Sequence, residues 1–201
     1  IPIKKYDSID IFPNNLNIIH SNLDGIKFSI NINGNIEEFE TSILGSFNAI
    51  NLTPVILLSI ELGVELENIK KYVKGLKAVD NRLKKIENNG KIILDDSFNG
   101  NLNGILEACN IASTYDGRKV IITPGLVESN DEDNSILAKR VNEVFDRVII
   151  TGELNRAVFM KNIDRDRSLV LKDKDKMEEF LIKETRSGDL ILFANDAPNF
   201  I

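Results

Sequence analysis

The densest run of ligand-binding side chains in this chain is Asp95-Asp96-Ser97-Phe98-Asn99-Gly100-Asn101. Its carboxylates, hydroxyl and amides can hydrogen-bond the hydroxyls, ammonium or carboxylate of a small ligand. The same residue types also favour turns and helix N-caps, because their short side chains satisfy orphan backbone N–H groups, and Asn101 is a candidate for that role alone. Both readings stand on the residues themselves. A second candidate is Arg82, whose planar five-donor guanidinium suits phosphates held between two domains, although an isolated Arg is more often a solvated surface residue. Asn48 and Asn51 are spaced i, i+3 at the start of a helix. Both amides can then face one ligand edge, unless Asn48 is simply the N-cap.

Other chemistries find no support in the sequence. His20, the only histidine, has no nearby Cys or His with which to form a metal set and no evident triad. Cys109, the only cysteine, sits in an apolar helical stretch and reads as core packing in a reducing compartment. There is no G-x-x-x-x-G-K-[ST] and no G-x-G-x-x-G, so neither a phosphate-cradling P-loop nor a dinucleotide fingerprint is present.

The elements that must position these residues fall into two patterns. Residues 26–32 and 36–43 alternate apolar and polar side chains about Asn33-Gly34, which predicts a β-hairpin. Helices follow from Asn48 to Leu62 and from about Glu65 to Leu76. From Lys91 onward short β-branched runs (Ile92–Leu94, Val120–Thr123, Val148–Thr151, Ser168–Leu171, Leu190–Phe193) alternate with helical stretches near 102–115, 132–145, 153–161 and 175–187. Strands apolar on both faces between amphipathic helices predict a Rossmann-like, mostly parallel α/β sheet, with the boundary near Ala78–Leu83. In such sheets ligands bind outside the carboxyl ends of the strands. That singles out 95–101, Pro124-Gly125-Leu126-Val127-Glu128 and Ala194-Asn195-Asp196-Ala197-Pro198-Asn199.

At 201 residues and 22.6 kDa the chain suits one complete domain and a piece of another. A net charge of -6 with scattered basic residues excludes the positive stripe that a nucleic acid requires. No apolar run reaches the roughly 18 residues of a membrane span, and the start lacks a signal-peptide core, so the expectation is a cytoplasmic protein. The opening Ile1-Pro2-Ile3, without methionine, reads as the start of a fragment.

Three separated motifs resemble those of the Mur ligases in order and spacing: Gly45-Ser46-Phe47-Asn48-Ala49-Ile50-Asn51, then Asn81-Arg82-Leu83, then Ile93-Leu94-Asp95-Asp96-Ser97-Phe98-Asn99-Gly100-Asn101. The third is most similar to the D-D-S-Y-N-A-N-P stretch of the branch that adds D-alanyl-D-alanine. The resemblance continues through Gly117-Arg118-Lys119 and Asp146–Gly152, so it covers nearly the whole chain. It implies that residues 1–80 are the tail of a P-loop-type central ATP-binding domain and that 81–201 are the C-terminal Rossmann-like domain. The UDP-binding domain and the P-loop would lie elsewhere.

The implied activity joins a UDP-N-acetylmuramoyl-tripeptide to D-alanyl-D-alanine at the expense of ATP, through an acyl phosphate, in peptidoglycan precursor synthesis. By the same resemblance Asn48 and Asn51 lie at the adenine, Arg82 contacts the ATP phosphates as the catalytic candidate, and Asp96 binds the ribose. Ser97, Phe98, Asn99 and Asn101 help to receive the incoming dipeptide. Mg²⁺ is implied with its ligands in the missing part, and the protein is expected to be a monomer whose isolated fragment is inactive. Departures are Phe47 for histidine, Phe98 for tyrosine, Leu102 for proline, and 193–198 in place of a lysine-glycine-serine type of loop. The alternatives are a folylpolyglutamate-synthase-like ligase and a non-catalytic nucleotide- or peptide-binding module.

Overall fold

The computed structural model describes residues 16–98 and 100–195. It divides into two units, Ile1–Ala78 and Val79–Ile201.

In the first unit β1 (Leu16–Asn22), β2 (Gly25–Ile32) and β3 (Asn35–Thr41) form an antiparallel sheet in that order. The predicted hairpin is β2–β3, closed by Asn33 and Gly34 at φ 52° and 89°, the paired left-handed residues that match the twist of the flanking strands. β1 is an additional strand that the sequence reading did not include. Alternate residues Ile26, Phe28 and Ile30 point inward and meet Phe39, whose ring stacks on Phe28 at 5.6 Å between centroids. Two helices complete this core, α1 (Phe47–Glu61) through Ala49 and Ile56, and α2 (Leu66–Lys74) through Ile69 and Val73.

The second unit is a six-stranded sheet of order β4-β5-β9-β6-β7-β8. Its strands are β4 (Lys84–Asn88), β5 (Lys91–Asp96), β6 (Lys119–Thr123), β7 (Arg147–Thr151), β8 (Ser168–Leu171) and β9 (Leu190–Ala194). All neighbours are parallel except β4–β5, an antiparallel edge hairpin turned at Asn89-Gly90. The expected parallel sheet is therefore present, with one strand more than the sequence reading counted.

Helices α3 (Leu102–Ser113), α4 (Asp131–Val144) and α5 (Arg156–Asn162) pack side by side in that order. A short 3-10 turn at 174–176 leads into α6 (Met177–Glu184), which buries Met177 and Leu181 against Val120, Ile122, Ile149, Ile191 and Phe193. The last predicted helix, 175–187, is thus shorter than expected. It stops before Thr185, because Arg186–Asp189 makes a turn in which Asp189 accepts from the Arg186 N–H and pairs with Arg118 at 2.6 Å. Among the described residues no helix is long and apolar enough to cross a membrane.

Candidate functional site

Successive residues of a strand face opposite sides, so the two aspartates that end β5 part company. They belong to the strand rather than to the loop after it, where the sequence reading had placed them. Asp95 is buried and folds back on the chain: its Oδ1 accepts from the Ser97 N–H at 3.2 Å and from Ser97 Oγ at 2.6 Å. The Ser97 hydroxyl is thereby spent as a donor within the turn. Asp96 lies on the other face, partly buried, with Oδ1 accepting from the Leu83 N–H at 3.1 Å. Burial pushes the Asp96 carboxyl up to about 6; the Leu83 N–H opposes this, the Asp95 charge adds to it and the Arg82 charge again opposes it.

The segment 79–83 is fastened to this strand end. The Phe98 N–H donates to Asn81 O at 3.1 Å, the Arg82 N–H to Val79 O at 3.3 Å, and the Arg82 guanidinium carbon stands 4.0 Å from the centroid of the Phe98 ring. An exposed stack of this kind contributes about 0.5–1 kcal/mol. Asn81 and Leu83 both adopt left-handed backbone, at φ 62° and 50°. For a leucine this costs about 1–2 kcal/mol, which the full burial of its side chain offsets. The outcome is a guanidinium held over an exposed ring, its charge open to solvent and felt by the Asp96 carboxyl.

The strand order explains why loops far apart in sequence meet here. β9 enters between β5 and β6, so the carboxyl ends of all three are neighbours. Asn195, the residue after β9, takes left-handed φ of 61° and ties the three ends together. Its backbone N–H donates to Asp96 O at 3.1 Å, its Oδ1 accepts from the Gly100 N–H, and its Nδ2 donates to Gly125 O at 3.0 Å. The loop after β6 is held from below by two further amides. Asn134 accepts from the Leu126 N–H at 2.8 Å and donates to Leu126 O at 3.1 Å, while Asn155 Nδ2 donates to Pro124 O at 2.9 Å and Leu126 O at 3.1 Å. Gly125, at φ 79°, has room only for hydrogen, because a Cβ there would meet Asn134 Oδ1 at 2.6 Å.

Between the two fixed walls lies an open cavity of about 550 Å³. Gly100, Asn101, Leu102 and Asn103 line one side, and Leu126, Glu128, Ser129 and Asp133 the other. Asn101 is the N-cap of α3, accepting from the Gly104 N–H at 2.9 Å, so the capping reading holds for its oxygen while the residue also lines the cavity. The lining combines amides, a hydroxyl and carboxylates, donor and acceptor chemistry for a small zwitterion.

Arg82, Asp96, Ser97, Phe98 and Asn101 therefore gather at one end of one sheet. Asn99 and the 196–199 part of the last loop lie outside the described residues. Asn48 and Asn51 belong to the first unit, where they are the second and fifth residues of α1. The N-cap there is Ser46, not Asn48, whose Nδ2 donates to Leu44 O at 2.7 Å. Phe47 lies over Gly45: a Cβ added to Gly45 would meet the Phe47 ring. Among the described residues no cluster of three His, Cys, Asp or Glu side chains could hold a metal ion.

Of the three asparagines that hold the loops, Asn195 falls in the last loop that the sequence singles out, without a role of its own, whereas Asn134 and Asn155 carry no expectation from the sequence. Asn134 carried a signal: it falls on the helical face of Leu137, Ala138 and Val141 and is fully buried there, which is rare for an amide without a dedicated partner.

No protein-family model matches the chain. In sequence it is similar to the UDP-N-acetylmuramoyl-tripeptide–D-alanyl-D-alanine ligase of Bacillus subtilis, 25% identical over 181 residues, covering 85% of this chain and 39% of that protein. In structure it is similar to a UDP-N-acetylmuramoylalanyl-D-glutamyl-2,6-diaminopimelate–D-alanyl-D-alanyl ligase from Acinetobacter baumannii. That match has TM-score 0.77 and 18% identity, over 90% of this chain and 41% of the other. The MurF ligase from Thermotoga maritima, solved in complex with ADP, matches at TM-score 0.71 and 17% identity, over 90% of this chain and 43% of the other. The chain thus spans about two fifths of the length of the relatives it matches.

Proposed function

We propose that this chain, a relative of the Mur ligases in sequence and in fold, is the carboxyl-terminal portion of an ATP-dependent ligase that joins UDP-N-acetylmuramoyl-tripeptide to D-alanyl-D-alanine. The observation that carries this reading is the carboxyl-terminal end of the sheet, which carries the Asp96 carboxylate, the exposed Arg82 guanidinium and, between the loops after β5 and β6, a polar cavity suited to a dipeptide. In this reading residues 1–80 belong to the ATP-binding domain, 81–201 form the C-terminal domain, and the enzyme works as a cytoplasmic monomer.

The residues fit ATP in kind. A carboxylate at Asp96 offers acceptors to a ribose diol, and a guanidinium at Arg82 offers paired donors to phosphate. Asn48 and Asn51 would serve the adenine from the first unit. ATP supplies the phosphoryl group that makes the tripeptide carboxyl a good electrophile; the dipeptide amine then attacks the acyl carbon and inorganic phosphate departs. Arg82 would spread the charge that develops on the phosphoryl oxygens, and Ser97, Phe98, Asn99 and Asn101 would help to seat the amine. Any Mg²⁺ would draw its ligands from polypeptide outside the described residues.

The test is phosphate release by the full-length ligase with UDP-N-acetylmuramoyl-tripeptide and each candidate amine, in wild type, Asp96→Ala and Arg82→Ala. We expect release specific to D-alanyl-D-alanine, with Arg82→Ala lowering kcat roughly a hundred-fold or more and Asp96→Ala raising KM for ATP. Release with glutamate and a folate would transfer the chain to the folylpolyglutamate-synthase-like alternative. No release with any amine would favour a binding module.

A further inference from the structure

We propose that Asn195 is the positioning residue that sets the spacing between the two walls of the amine cavity, and through it the preference for a dipeptide. The proposal rests on the functional reading above, but its structural half can be tested without it. Gly100 opens one wall, and Gly125 immediately precedes Leu126 of the other. They come from loops about 25 residues apart in sequence, and among the described hydrogen bonds of these two residues it is the Asn195 side chain that reaches both.

Three features make Asn195 suited to this task. Its position after β9, the strand between β5 and β6, places one side chain within reach of both neighbouring strand ends. Its left-handed φ of 61° turns the side chain back over those ends, and asparagine tolerates that backbone better than other non-glycine residues. A carboxamide also carries an acceptor and a donor on one rigid plane, so Oδ1 takes the Gly100 N–H while Nδ2 gives to Gly125 O. The amide acts as a strut of fixed length. Since the far wall is already pinned by Asn134 and Asn155, shortening or removing the strut moves the Gly100–Asn103 wall relative to it.

Two substitutions separate the parts. Asn195→Gly keeps the left-handed backbone and the N–H to Asp96 O but removes both tethers. Asn195→Asp keeps the acceptor for Gly100 and loses the donor to Gly125. In the amide NMR spectrum of the 201-residue chain we expect Asn195→Gly to shift both the Gly100 and the Leu126 amide signals, and Asn195→Asp to leave Gly100 nearly in place. In the full-length ligase we expect Asn195→Gly to raise KM for D-alanyl-D-alanine about ten-fold or more while KM for ATP and the melting temperature change little, with Asn195→Asp intermediate. A Leu126 signal that ignores both substitutions would overturn the strut. An unchanged dipeptide KM in an active ligase, or a parallel loss for ATP, would overturn its role in substrate selection. A wild-type ligase that ignores D-alanyl-D-alanine would overturn the functional reading and leave the strut decided by the NMR result.

Discussion

Asp96 carries a conflict: the position that lets its carboxyl accept from the Leu83 N–H also makes its charge costly. Its carboxyl is raised from the ordinary range to about 6, chiefly by burial. Because the folded-state value lies above the unfolded one, the folded form binds more protons between about pH 4 and pH 6. Stability therefore falls as pH rises through that window and is constant, as far as this group is concerned, above it. A shift from 3.8 to about 6 corresponds to about 2–3 kcal/mol at most. Asp96→Asn preserves the acceptor for the Leu83 N–H and removes the charge. We expect it to stabilise the protein by about 1–3 kcal/mol at pH 7.5 and by almost nothing at pH 4, measured by denaturant unfolding at both values. An equal gap at the two pH values would mean that Asp96 is not the group responsible. The sequence exposed this residue through its type and spacing. What it could not expose is which of two adjacent aspartates folds onto the Ser97 turn and which meets the Leu83 N–H, since that depends on where β5 ends.

At the scale of elements, the loops that line the cavity owe their shape to amides presented from other elements. Asn134 is fully buried in α4 and closes a two-way bridge to the backbone of Leu126, with a further bond from Nδ2 to Asn130 O at 3.0 Å. Asn134→Ala would leave the buried Leu126 N–H without its acceptor, while Leu126 O keeps only Asn155 and Asn130 O only the backbone N–H of residue 134. We expect a loss of about 2–4 kcal/mol in global stability, measured by denaturant unfolding. Unfolding data within about 0.5 kcal/mol of wild type would show that the loop is held by other means. The parallel strands and their helices were legible because apolar runs and helical periodicity report burial directly. β4 was missed although Asn89-Gly90 repeats the signature that revealed the Asn33-Gly34 hairpin. Its residues Lys84-Lys85-Ile86-Glu87-Asn88 are polar enough for an edge strand and so show no buried pattern. β1 escaped for a similar reason, since four of its seven residues are exposed. The meeting of the β5, β6 and β9 ends was beyond sequence reasoning altogether, because β9 is last in the chain but sits inside the sheet.

On the scale of the whole chain, two cores of unequal strength are joined in one polypeptide, and this has a measurable consequence. The second unit buries both faces of a six-stranded sheet under helices, with Leu94, Val120, Ile121, Ile122, Val148, Ile149, Ile150 and Leu192 wholly enclosed. Among its described residues the first unit has one three-stranded sheet and two helices, and α1 is apolar on both sides. Ala49, Thr53 and Ile56 face the core, while Val55, Leu58 and Leu62 are exposed at 59%, 50% and 75%. A helix that is hydrophobic all round ordinarily belongs to an interior, and units of this size bury a smaller share of their surface on folding. We therefore expect calorimetry of the 201-residue chain to show two transitions, the first belonging to residues 1–78. Residues 79–201 expressed alone should unfold cooperatively within a few degrees of the second transition. Residues 1–78 alone should bind a hydrophobic dye and melt at or below the first, and Leu58→Glu with Leu62→Lys should reduce the dye signal without lowering that melting point, because both side chains are largely exposed. A single transition for the intact chain, with 79–201 unfolded when alone, would mean that the two cores stabilise each other and cannot be treated as separate folding units.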